Sequence, residues 1–542
     1  MARKGGALAR ALLRVRVHWD AWRRDPAAYL EATGWRIRGL KLRSKHRFSS
    51  LMGHSPHAYR LWTMTREVGA FGHEVNAPAS EPLIHIVVDC RGGSHGLRQS
   101  LASIEHAMRP ACRVVVLGDQ QPPEPGVTHI ADTCALASLL KESSAGDRPL
   151  VLAMAAGDLL APQALDTYRA ALATRPEAAL LYGDDDLISS EGRRHTPHFK
   201  PDWNSELFRH LDYLSNSCLF VCDPDRIDEG WPVSALPLVP APVHLDRVLH
   251  HRMRRPRAVR PSPTAAPAPP PQVSVIVPTR DHLALLQTCI EGLAATRYPA
   301  LDITVIDNGS ARADTLDYLR QLQSGGVRVI GDPGPFNYAA MHNAVVPSAA
   351  GPLLCFLNND IEVIDPEWLS IMVTSAMRED VGAVGARLLY PDGTIQHAGV
   401  VTGVGGGAGH AHRLQRDDEE GYFGRAHLPQ FVSAVTAACM VVRKDRFLAV
   451  GGFDAQNFAV AFNDVDLCLK LNQRGWQSFY EARACLIHHE SKSRGLDRDG
   501  AKKARFEGEL AALKRIWRTD RQHDPFHHRE LSPFGEQFVV RL

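Results

Sequence analysis

A single stretch decides the fold: Leu353-Leu354-Cys355-Phe356-Leu357-Asn358-Asn359-Asp360. Its apolar half is typical of a strand buried on both faces, and the pattern stops abruptly at Asn-Asn-Asp. In an open α/β sheet, ligands bind at the carboxyl ends of such strands, so a carboxylate at this point is well placed to hold a cation. A lone Asn-Asn-Asp is also typical of a polar turn, and only the surrounding sequence can decide between the two interpretations.

The residues before this strand predict one α/β unit around it. Strand-like apolar runs alternate with helical segments: strands over 273–281, 303–310 and 327–330, and helices over 283–295 and near 338–350. Parallel strands joined by helices bring their carboxyl ends to one edge of the sheet. We therefore expect Asp281, Asp307 and Asp360 to lie near a common edge.

The first half of the chain repeats this layout. Strand-like runs at 83–88, 113–117 and 150–154 are separated by a helical segment, and the last of them leads into Ala156-Gly157-Asp158. The repeat predicts two tandem α/β units. Three consecutive aspartates, at 184–186, follow a later strand. Because neighbouring strand residues point to opposite faces, they cannot all reach one ion, and we expect a polar turn that ends the strand.

The amino-acid composition indicates the broad class of protein. The chain has 542 residues, 44% of them hydrophobic, and a formal net charge of +2, which suits a globular protein and indicates no nucleic-acid partner. No apolar run approaches the length of about 18 residues that a membrane-spanning helix needs. The N-terminus lacks the apolar core of a signal peptide, and the ten cysteines are scattered without metal spacing. These features predict a cytoplasmic protein with reduced thiols.

The domain layout follows from these patterns. We predict a basic helical segment at 1–80, a first α/β domain at 81–255, a Pro/Ala-rich linker at 256–271, a second α/β domain at 272–520 and a C-terminal tail at 521–542. Arginines and lysines up to residue 47 are interleaved with apolar residues such as Leu8, Leu12 and Trp19 at helical spacing. Two interpretations remain open: a helix peripheral to an anionic membrane surface, or a solvated basic arm.

The second domain resembles the family-2 glycosyltransferases of the GT-A fold, in particular bacterial rhamnosyltransferase-type members that build surface polysaccharides. Matching motifs occur in the family's order at 273–281, 305–310, 356–363, 396–399 (Gln-His-Ala-Gly), 451–454, 463–470 and 488–495. The resemblance implies an α/β fold with two tandem GT-A-like, Rossmann-like domains of mostly parallel sheet, of which the second is complete. The first domain lacks a counterpart of the 463–470 motif and is expected to be non-catalytic, with a second active domain as the alternative.

The resemblance also implies roles for individual residues. It assigns donor binding to Pro278, Thr279, Asp281, Asp307, Asn358 and Asn359, a divalent cation (Mn²⁺ or Mg²⁺) to Asp360 with His488 or His489, and the catalytic base to Asp464, with Asp466 as a secondary candidate. A structural alternative for Asp464 is a helix cap. Asn358 and Asn463 stand where the family usually has acidic residues. The glycine-rich run 403–409 is no P-loop and predicts a mobile loop over the acceptor side, with His410 and His412 as structural or surface residues rather than ligands.

These assignments predict an inverting, metal-dependent glycosyltransferase. Its expected partners are a nucleotide-diphosphate sugar, rhamnose being one option, and a lipid-linked or polymeric glycan acceptor. A non-catalytic scaffold that binds a glycan or nucleotide sugar is the alternative from another class, and Asn358 and Asn463 favour it. A nucleotidyltransferase is a third option, although it leaves Asp464 without a role.

Overall fold

The structure is a computed structural model, and it describes residues 2–67, 82–107, 111–118, 126–143, 148–262, 269–490 and 500–542. The predicted linker lies partly outside this range, at 263–268, as do residues 491–495 of the last family motif. Among the described residues, none of the helices is both long enough and apolar enough to span a bilayer.

The N-terminal segment is helical. It contains α1 (Ala2–Arg24), α2 (Pro26–Ile37), α3 (Lys41–Gly53), α4 (Ala58–Trp62) and a π-helical turn, Thr63–Glu67. The side chain of Asp25 caps α2 by accepting the backbone N–H of Ala28 at 2.9 Å. Ala21, Ala28 and Leu51 are buried together and hold the first three helices in contact.

The first domain is built on one sheet. Its strands are β1 (Ile84–Asp89), β2 (Cys112–Leu117), β3 (Thr128–Ile130), β4 (Leu150–Ala155), β5 (Leu159–Leu160), β6 (Leu180–Ile188), β7 (Arg194–His198), β8 (Cys218–Val221) and β9 (Val243–Arg252). Its helices are α5 (Leu97–Ala107), α6 (Thr133–Glu142), α7 (Ala164–Thr174) and α8 (Ser205–His210). Two 3₁₀ turns, Pro224–Arg226 and Val233–Ala235, join β8 to β9.

The second domain has a larger set of elements. Its strands are β10 (Val273–Thr279), β11 (Leu301–Asp307), β12 (Arg328–Gly331), β13 (Leu353–Leu357), β14 (Ile361–Val363), β15 (Val381–Leu389), β16 (Ile395–His397), β17 (Val400–Thr402), β18 (Ala408–His410), β19 (Gln430–Val432), β20 (Cys439–Arg443) and β21 (Gln477–His488). Its helices are α9 (Leu283–Ala295), α10 (Ala313–Ser324), α11 (Tyr338–Val345), α12 (Trp368–Ala376), α13 (Lys444–Ala449), α14 (Asn463–Gln473) and α15 (Gly500–Trp517).

The two sheets have equivalent strand orders, which confirms the tandem α/β repeat. The first runs β3-β2-β1-β4-β8-β6-β9-β5, and the second runs β12-β11-β10-β13-β20-β15-β21-β14. In the second sheet β10 to β13 are parallel, while β20 is antiparallel to both β13 and β15, and β14 is antiparallel to β21. Each sheet is therefore mixed: four parallel strands lie at one side, and a further parallel pair, β6 with β9 or β15 with β21, lies beyond an antiparallel strand.

The core of the second domain covers both faces of its sheet. Along β13, Leu354 and Phe356 pack on one side, and Cys355 and Leu357 pack on the other. This alternation explains the continuous apolar run, because a strand covered on both faces has no position for a solvated side chain. Each fully buried side chain of this size contributes about 1.5–3 kcal/mol through burial.

The first and second domains contact each other through buried polar groups. The amide of Asn204 donates to the carbonyl oxygen of Phe431 at 2.8 Å and its Oδ1 accepts the Phe431 N–H at 3.3 Å, so this side chain imitates one rung of a β-ladder. The hydroxyl of Tyr422 accepts the Phe199 N–H at 2.9 Å. These bonds satisfy groups that would otherwise be costly to bury.

The three aspartates at 184–186 lie inside β6, so the expectation of a turn at the end of the strand was wrong. All three are buried. They pair with different buried partners on alternating sides: Asp184 with His244, Asp185 with Lys200 and Asp186 with His251. Basic partners on both faces allow the strand to continue through three charges.

Candidate active site

The ends of β10 and β11 form the first part of the site. Thr279 and Asp307 are the last residues of these strands and are aligned in the parallel pair. Asp281 adopts a left-handed φ of 51°, and its Oδ1 accepts the N–H groups of Ala311 and Arg312 at 3.0 and 2.9 Å. Asp281 therefore shapes the loop after β11, and Thr279 and Asp307 remain at the sheet edge.

Some of the predicted donor-binding residues lie close together, and others do not. Asn359 donates from Nδ2 to Thr279 Oγ1 at 3.0 Å, which joins the end of β13 to the end of β10. Asp307 accepts the N–H of Ser310 at 2.9 Å. Pro278 is buried within β10 and contributes to the strand rather than to the cleft surface.

The end of β13 meets the end of β21. His488 is the last residue of β21 and is aligned with Ile361, the residue that follows Asp360. Its Nε2 lies 3.1 Å from Asp360 Oδ1 and 3.4 Å from Asn358 Nδ2. A carboxylate, an imidazole and an amide therefore converge at one point.

His489 points away from this convergence. Its Nε2 lies 2.7 Å from Glu362 Oε2, and only its backbone N–H reaches Asp360, donating to the carbonyl oxygen at 2.9 Å. The structure thus separates the two histidines that the sequence left as alternatives. Their side chains diverge because adjacent residues of an extended chain face opposite ways.

Asp464 lies at the start of α14, next to the same strand ends. The N-cap position of α14 belongs to Phe462, and Asp464 Oδ2 accepts the N–H of Ala437 at 3.1 Å. The next residue, Ala438, accepts the N–H of Asn358 at 2.9 Å through its carbonyl oxygen. Asp464 and Asn358 are therefore joined through two consecutive residues, Ala437 and Ala438.

Asp466 is placed differently. It is buried, and its carboxylate accepts the indole N–H of Trp517 at 2.9 Å and pairs with Lys470 at 2.8 Å. These contacts hold α15 against α14. The geometry gives Asp466 a packing role and leaves Asp464 as the half-buried carboxylate at the helix start.

A pair of histidines, not included among the predicted site residues, lies beside Asp464. His397 Nε2 accepts the N–H of Gly399 at 3.3 Å, so its Nδ1 carries the proton and donates to His410 Nδ1 at 2.8 Å. The N–H of neutral His410 is then on Nε2. Burial lowers the pKa of His410 to about 4, and the residue also lies within electrostatic range of Asp464 and His488.

His410 is thus a neutral hydrogen-bond donor at near-neutral pH. It is held by β18, whose position follows the turn at 403–406, where three glycines adopt positive φ values. His397 lies within the Gln-His-Ala-Gly motif, and this was the one available signal for the pair. The glycine-rich run did not indicate this histidine pair, because the position of His410 depends on the pairing of β18 with β17.

Glu490 and its partners lie near His410 and His488. Tyr390 donates its hydroxyl to Glu490 at 2.8 Å, and Arg413 Nε donates to Tyr390 at 2.9 Å. Burial opposes ionisation of Glu490, but the Tyr390 hydroxyl and Arg413 outweigh it and keep its pKa below its usual range. This side of the cleft therefore offers an ionised carboxylate and a cation, both absent from the sequence prediction.

The first domain keeps the aspartate near the strand end but lacks the partners that the equivalent aspartate has in the second domain. Asp158 directly precedes β5 as Asp360 precedes β14, and His251 on β9 aligns with Leu159 as His488 aligns with Ile361. Here, however, Arg252 Nε lies 3.4 Å from Asp158 Oδ2, and His251 bonds to Asp186 instead. A fixed guanidinium neutralises the strand-end carboxylate. Only 3₁₀ turns join β8 to β9, so α14 and its aspartate have no counterpart there.

Another His/Asp cluster, close enough for a metal, joins the C-terminal segment to the first domain. Asp184 lies 3.0 Å from both His244 Nε2 and His528 Nε2, and His244 Nδ1 faces Asp202 and Asp246 at 3.2 and 3.3 Å. Burial alone would lower the pKa of His244, but Asp184 and its neighbours raise it to about 9.

This cluster is a network of hydrogen bonds between carboxylates and imidazoles, with Asp184 at its centre. His244 has carboxylates at both nitrogens and is doubly protonated. His528 accepts the N–H of Glu530 on Nδ1 at 3.0 Å, so its Nε2 carries the proton toward Asp184. The cluster fastens residues near 528 to the first domain.

Replacing His244 with Gln should remove a pH-dependent part of the stability. A histidine whose pKa rises from 6.5 to about 9 on folding stabilises fully below pH 6.5, and this contribution disappears as the pH rises through 9. The shift corresponds to a stabilisation on the order of 3 kcal/mol. Denaturant unfolding of both proteins should show a difference in the free energy of unfolding at pH 6.5 that shrinks as the pH is raised to about 9.

The exposed His195 provides the control, since His195→Gln should cause no such difference. A difference between wild type and His244→Gln that stays constant with pH would contradict the imidazolium assignment.

The fold and this site define the class of the second domain: it is an α/β domain with carboxylates at the ends of neighbouring strands and a further carboxylate at the start of a helix. Residues 274–417 match the family model described as Glycosyl transferase family 2. This match lies within the second domain and covers its strands from β11 to β18.

The chain is similar to several curated proteins. It is 38% identical over 439 residues to the protein y4gI of Sinorhizobium fredii (strain NBRC 101917 / NGR234), covering 71% of this chain and 48% of that protein. It is 32% identical over 511 residues to the O-antigen biosynthesis protein RfbC of Myxococcus xanthus, covering 81% of this chain and 40% of that protein. The chain thus spans less than half the length of either relative.

A shorter match and a solved structure complete the comparison. Over 66 residues, 12% of this chain and 21% of the relative, the chain is 39% identical to an N-acetylglucosaminyl-diphospho-decaprenol L-rhamnosyltransferase of Mycobacterium tuberculosis. The mannosyltransferase PcManGT from Pyrobaculum calidifontis, in complex with GDP-Man and Mn²⁺, aligns with a TM-score of 0.36 and 15% identity over 51% of this chain and 71% of that chain.

Proposed function

We propose that the second domain is an inverting, metal-dependent glycosyltransferase that moves a sugar from a nucleotide-diphosphate donor to a hydroxyl group. One observation carries the proposal: Asp464 lies next to the strand end that holds Asn358 and Asp360, where His488 also lies. Asp464 and Asn358 are connected through Ala437 and Ala438, and His410 lies within electrostatic range of Asp464 and His488.

Asp464 acts as the base. Its Oδ1 and Oδ2 each accept one backbone N–H, from Val465 and Ala437, which fixes the orientation of the carboxylate. It takes the proton of the acceptor hydroxyl while that oxygen bonds to the anomeric carbon and the bond from that carbon to the diphosphate breaks. General-base catalysis of this kind contributes about 100- to 10,000-fold to a rate.

The residues at the end of β13 suit a divalent cation. Asp360 offers a carboxylate oxygen, His488 an imidazole nitrogen, and Asn358 an amide oxygen once its amide group is turned over. Mn²⁺ accepts such a mixed set of oxygen and nitrogen ligands. When bound, the cation stabilises the negative charge that develops on the departing diphosphate.

The donor lies along the edge formed by Thr279, Asp307 and Asn359. Asp307 accepts hydrogen bonds from the nucleoside, and Asp281 keeps the adjoining loop in place.

We extend the proposal to a rhamnosyl or related sugar and a lipid-linked or polymeric glycan acceptor, in line with the names of RfbC and of the rhamnosyltransferase relative. The first domain, with Arg252 beside Asp158, packs against the second and does no transfer.

A panel of nucleotide sugars tests the proposal, with release of nucleotide diphosphate measured in the presence of manganese and after chelation. Release that depends on both an acceptor extract and the cation supports transfer. The alternative is a scaffold that binds a nucleotide sugar without turnover, which the neutral Asn358 and Asn463 favour. Donor binding without release, unchanged in Asp464→Asn, would establish that alternative.

The setting we propose is the surface of an anionic membrane. On α1, large apolar residues recur at spacings of four and three residues and are 39–67% exposed: Leu8, Leu12, Val15, Trp19 and Trp22. This stripe, hereafter the α1 stripe, is flanked by the exposed side chains of Arg16 and Arg23. An exposed apolar stripe with arginines beside it matches the interface of an anionic bilayer.

Changing Trp19 and Trp22 together to Ser should reduce the binding of the protein to anionic vesicles by about tenfold or more, because two large interfacial side chains are lost. Cosedimentation with vesicles at low and high salt measures this. Leu448→Ser serves as the control, since Leu448 is 51% exposed but lies on α13, far along the chain from the stripe. Equal sedimentation of the double variant and the wild type would contradict a membrane role for α1.

A further inference from the structure

A cavity of about 490 Å³ lies between the N-terminal helices and the C-terminal segment. One wall is a face of α3, on which the lining residues recur at helical spacing: Lys41, Ser44, Lys45, Phe48 and Met52. The opposite wall comes from residues 532–541, which return to the N-terminal helices. The volume is within the range typical of small-molecule sites.

The cavity has an apolar interior. Phe48 and Met52 from α3 face Phe534 and Val540 from the C-terminal segment across it. Phe48 is buried in the helical core, so this surface is part of the packed structure. Such a lining accepts an alkyl or prenyl chain.

The cavity is also strongly cationic. Its lining includes five cationic side chains and, among the residues that the structure describes, no carboxylate side chain: Arg36, Lys41, Lys45, Arg66 and Arg541. Glu530 neutralises Arg66 through a bidentate pair. Lys45 Nζ lies 5.1 Å from the centre of the Phe534 ring, so cation and apolar surface adjoin.

The cations of the cavity lie beside exposed apolar residues. Ile37, next to Arg36, is 82% exposed, and Leu40 and Leu42, on either side of Lys41, are 43% and 52% exposed. His18, which also lines the cavity, precedes Trp19 of the α1 stripe. The cavity is therefore close in sequence and structure to the surface that we assign to the membrane.

We propose that this cavity binds the phosphate headgroup of an anionic amphiphile, with the phosphate at Lys41 and Lys45 and the first part of the apolar chain between Phe48 and Phe534. Two lysines one helical turn apart hold a dianionic phosphate as paired point charges. The apolar walls add affinity for the chain in proportion to the area covered. The site would select one lipid phosphate at the bilayer surface, independently of sugar transfer by the second domain.

Calorimetric titration of the full-length protein with monomeric dihexanoyl phosphatidic acid tests the proposal. Inorganic phosphate and dihexanoyl phosphatidylcholine form the comparison arms. We expect saturable binding of the phosphatidic acid, and affinities for the other two that are weaker by about tenfold or more, because each lacks either the apolar chain or the net anionic charge. Equal affinity for inorganic phosphate would overturn the amphiphile assignment.

A matched pair of variants locates the site. Lys41→Gln with Lys45→Gln should weaken binding by about tenfold or more, since both cations face the cavity. Arg43→Gln with Arg47→Gln removes the same charge at the same spacing from the same helix, but neither arginine lines the cavity, and binding should be retained. Equal losses in both double variants would show attraction by overall charge and overturn the proposal. Binding is measured without donor or acceptor, so failure here leaves the transferase proposal untouched.

Discussion

Asp464→Asn should slow sugar transfer by about 1,000-fold while changing donor affinity by no more than about twofold. The amide keeps the shape of the carboxylate and can still accept the N–H of Ala437, but it cannot take a proton from the acceptor. Initial rates at saturating donor and acceptor measure the loss, and calorimetry with the donor alone measures affinity. A loss confined to turnover is the signature of a group that acts only in the transition state.

Two further variants separate catalysis from stability. Asp445→Asn, in the first turn of α13 and paired with Arg443, removes an exposed carboxylate and should leave the rate unchanged. Asp466→Asn removes the charge that pairs with Lys470, so it should lower the melting temperature rather than abolish turnover. A rate for Asp464→Asn within about tenfold of wild type would show that Asp464 is not the base.

His488→Gln and His489→Gln should differ sharply although the residues are neighbours. His488 faces Asp360 at 3.1 Å, whereas His489 bonds to Glu362 at 2.7 Å. Loss of His488 should raise the manganese concentration for half-maximal activity by about 10- to 100-fold, as expected for loss of a ligand. His489→Gln should retain the wild-type requirement, because its side chain lies outside the set of ligands.

Manganese titrations of activity at fixed donor compare the three proteins, and thermal unfolding with and without manganese supplies a readout that needs no turnover. Wild type and His489→Gln should gain stability from the ion, and His488→Gln should gain much less. If His489→Gln shifted the titration as far as His488→Gln, the effect would be on the packing of β21 and the proposed ligand would be wrong.

The tandem domains illustrate how one fold can keep or lose a site. Both place an aspartate directly after the strand at the centre of the sheet, at 158 and 360. In the first domain Arg252 supplies the positive charge next to that aspartate, and burial raises the pKa of Asp158 to about 6. In the second domain the imidazole of His488 lies next to that aspartate instead.

The sequence alone determined the architecture of both halves. Apolar runs bounded by polar strand ends predicted β1, β4, β10, β11 and β13, and the predicted helix at 283–295 coincides with α9. These patterns are reliable because burial on both faces of a sheet leaves no other arrangement for a continuous apolar strand. The polar end of the central strand likewise indicated Asp360, whereas Asp464 was indicated only by the resemblance to the glycosyltransferase family.

Only the tertiary structure decided which side chains meet. It assigned His488 to Asp360, turned His489 toward Glu362, and gave Asp466 to Trp517 and Lys470. The buried charges of β6 and the closing of residues near 528 onto Asp184 had no local signal either. The physical reason is the same in each case: a side chain's partner depends on residues distant in sequence, whereas a strand or helix depends on the periodicity of its own residues.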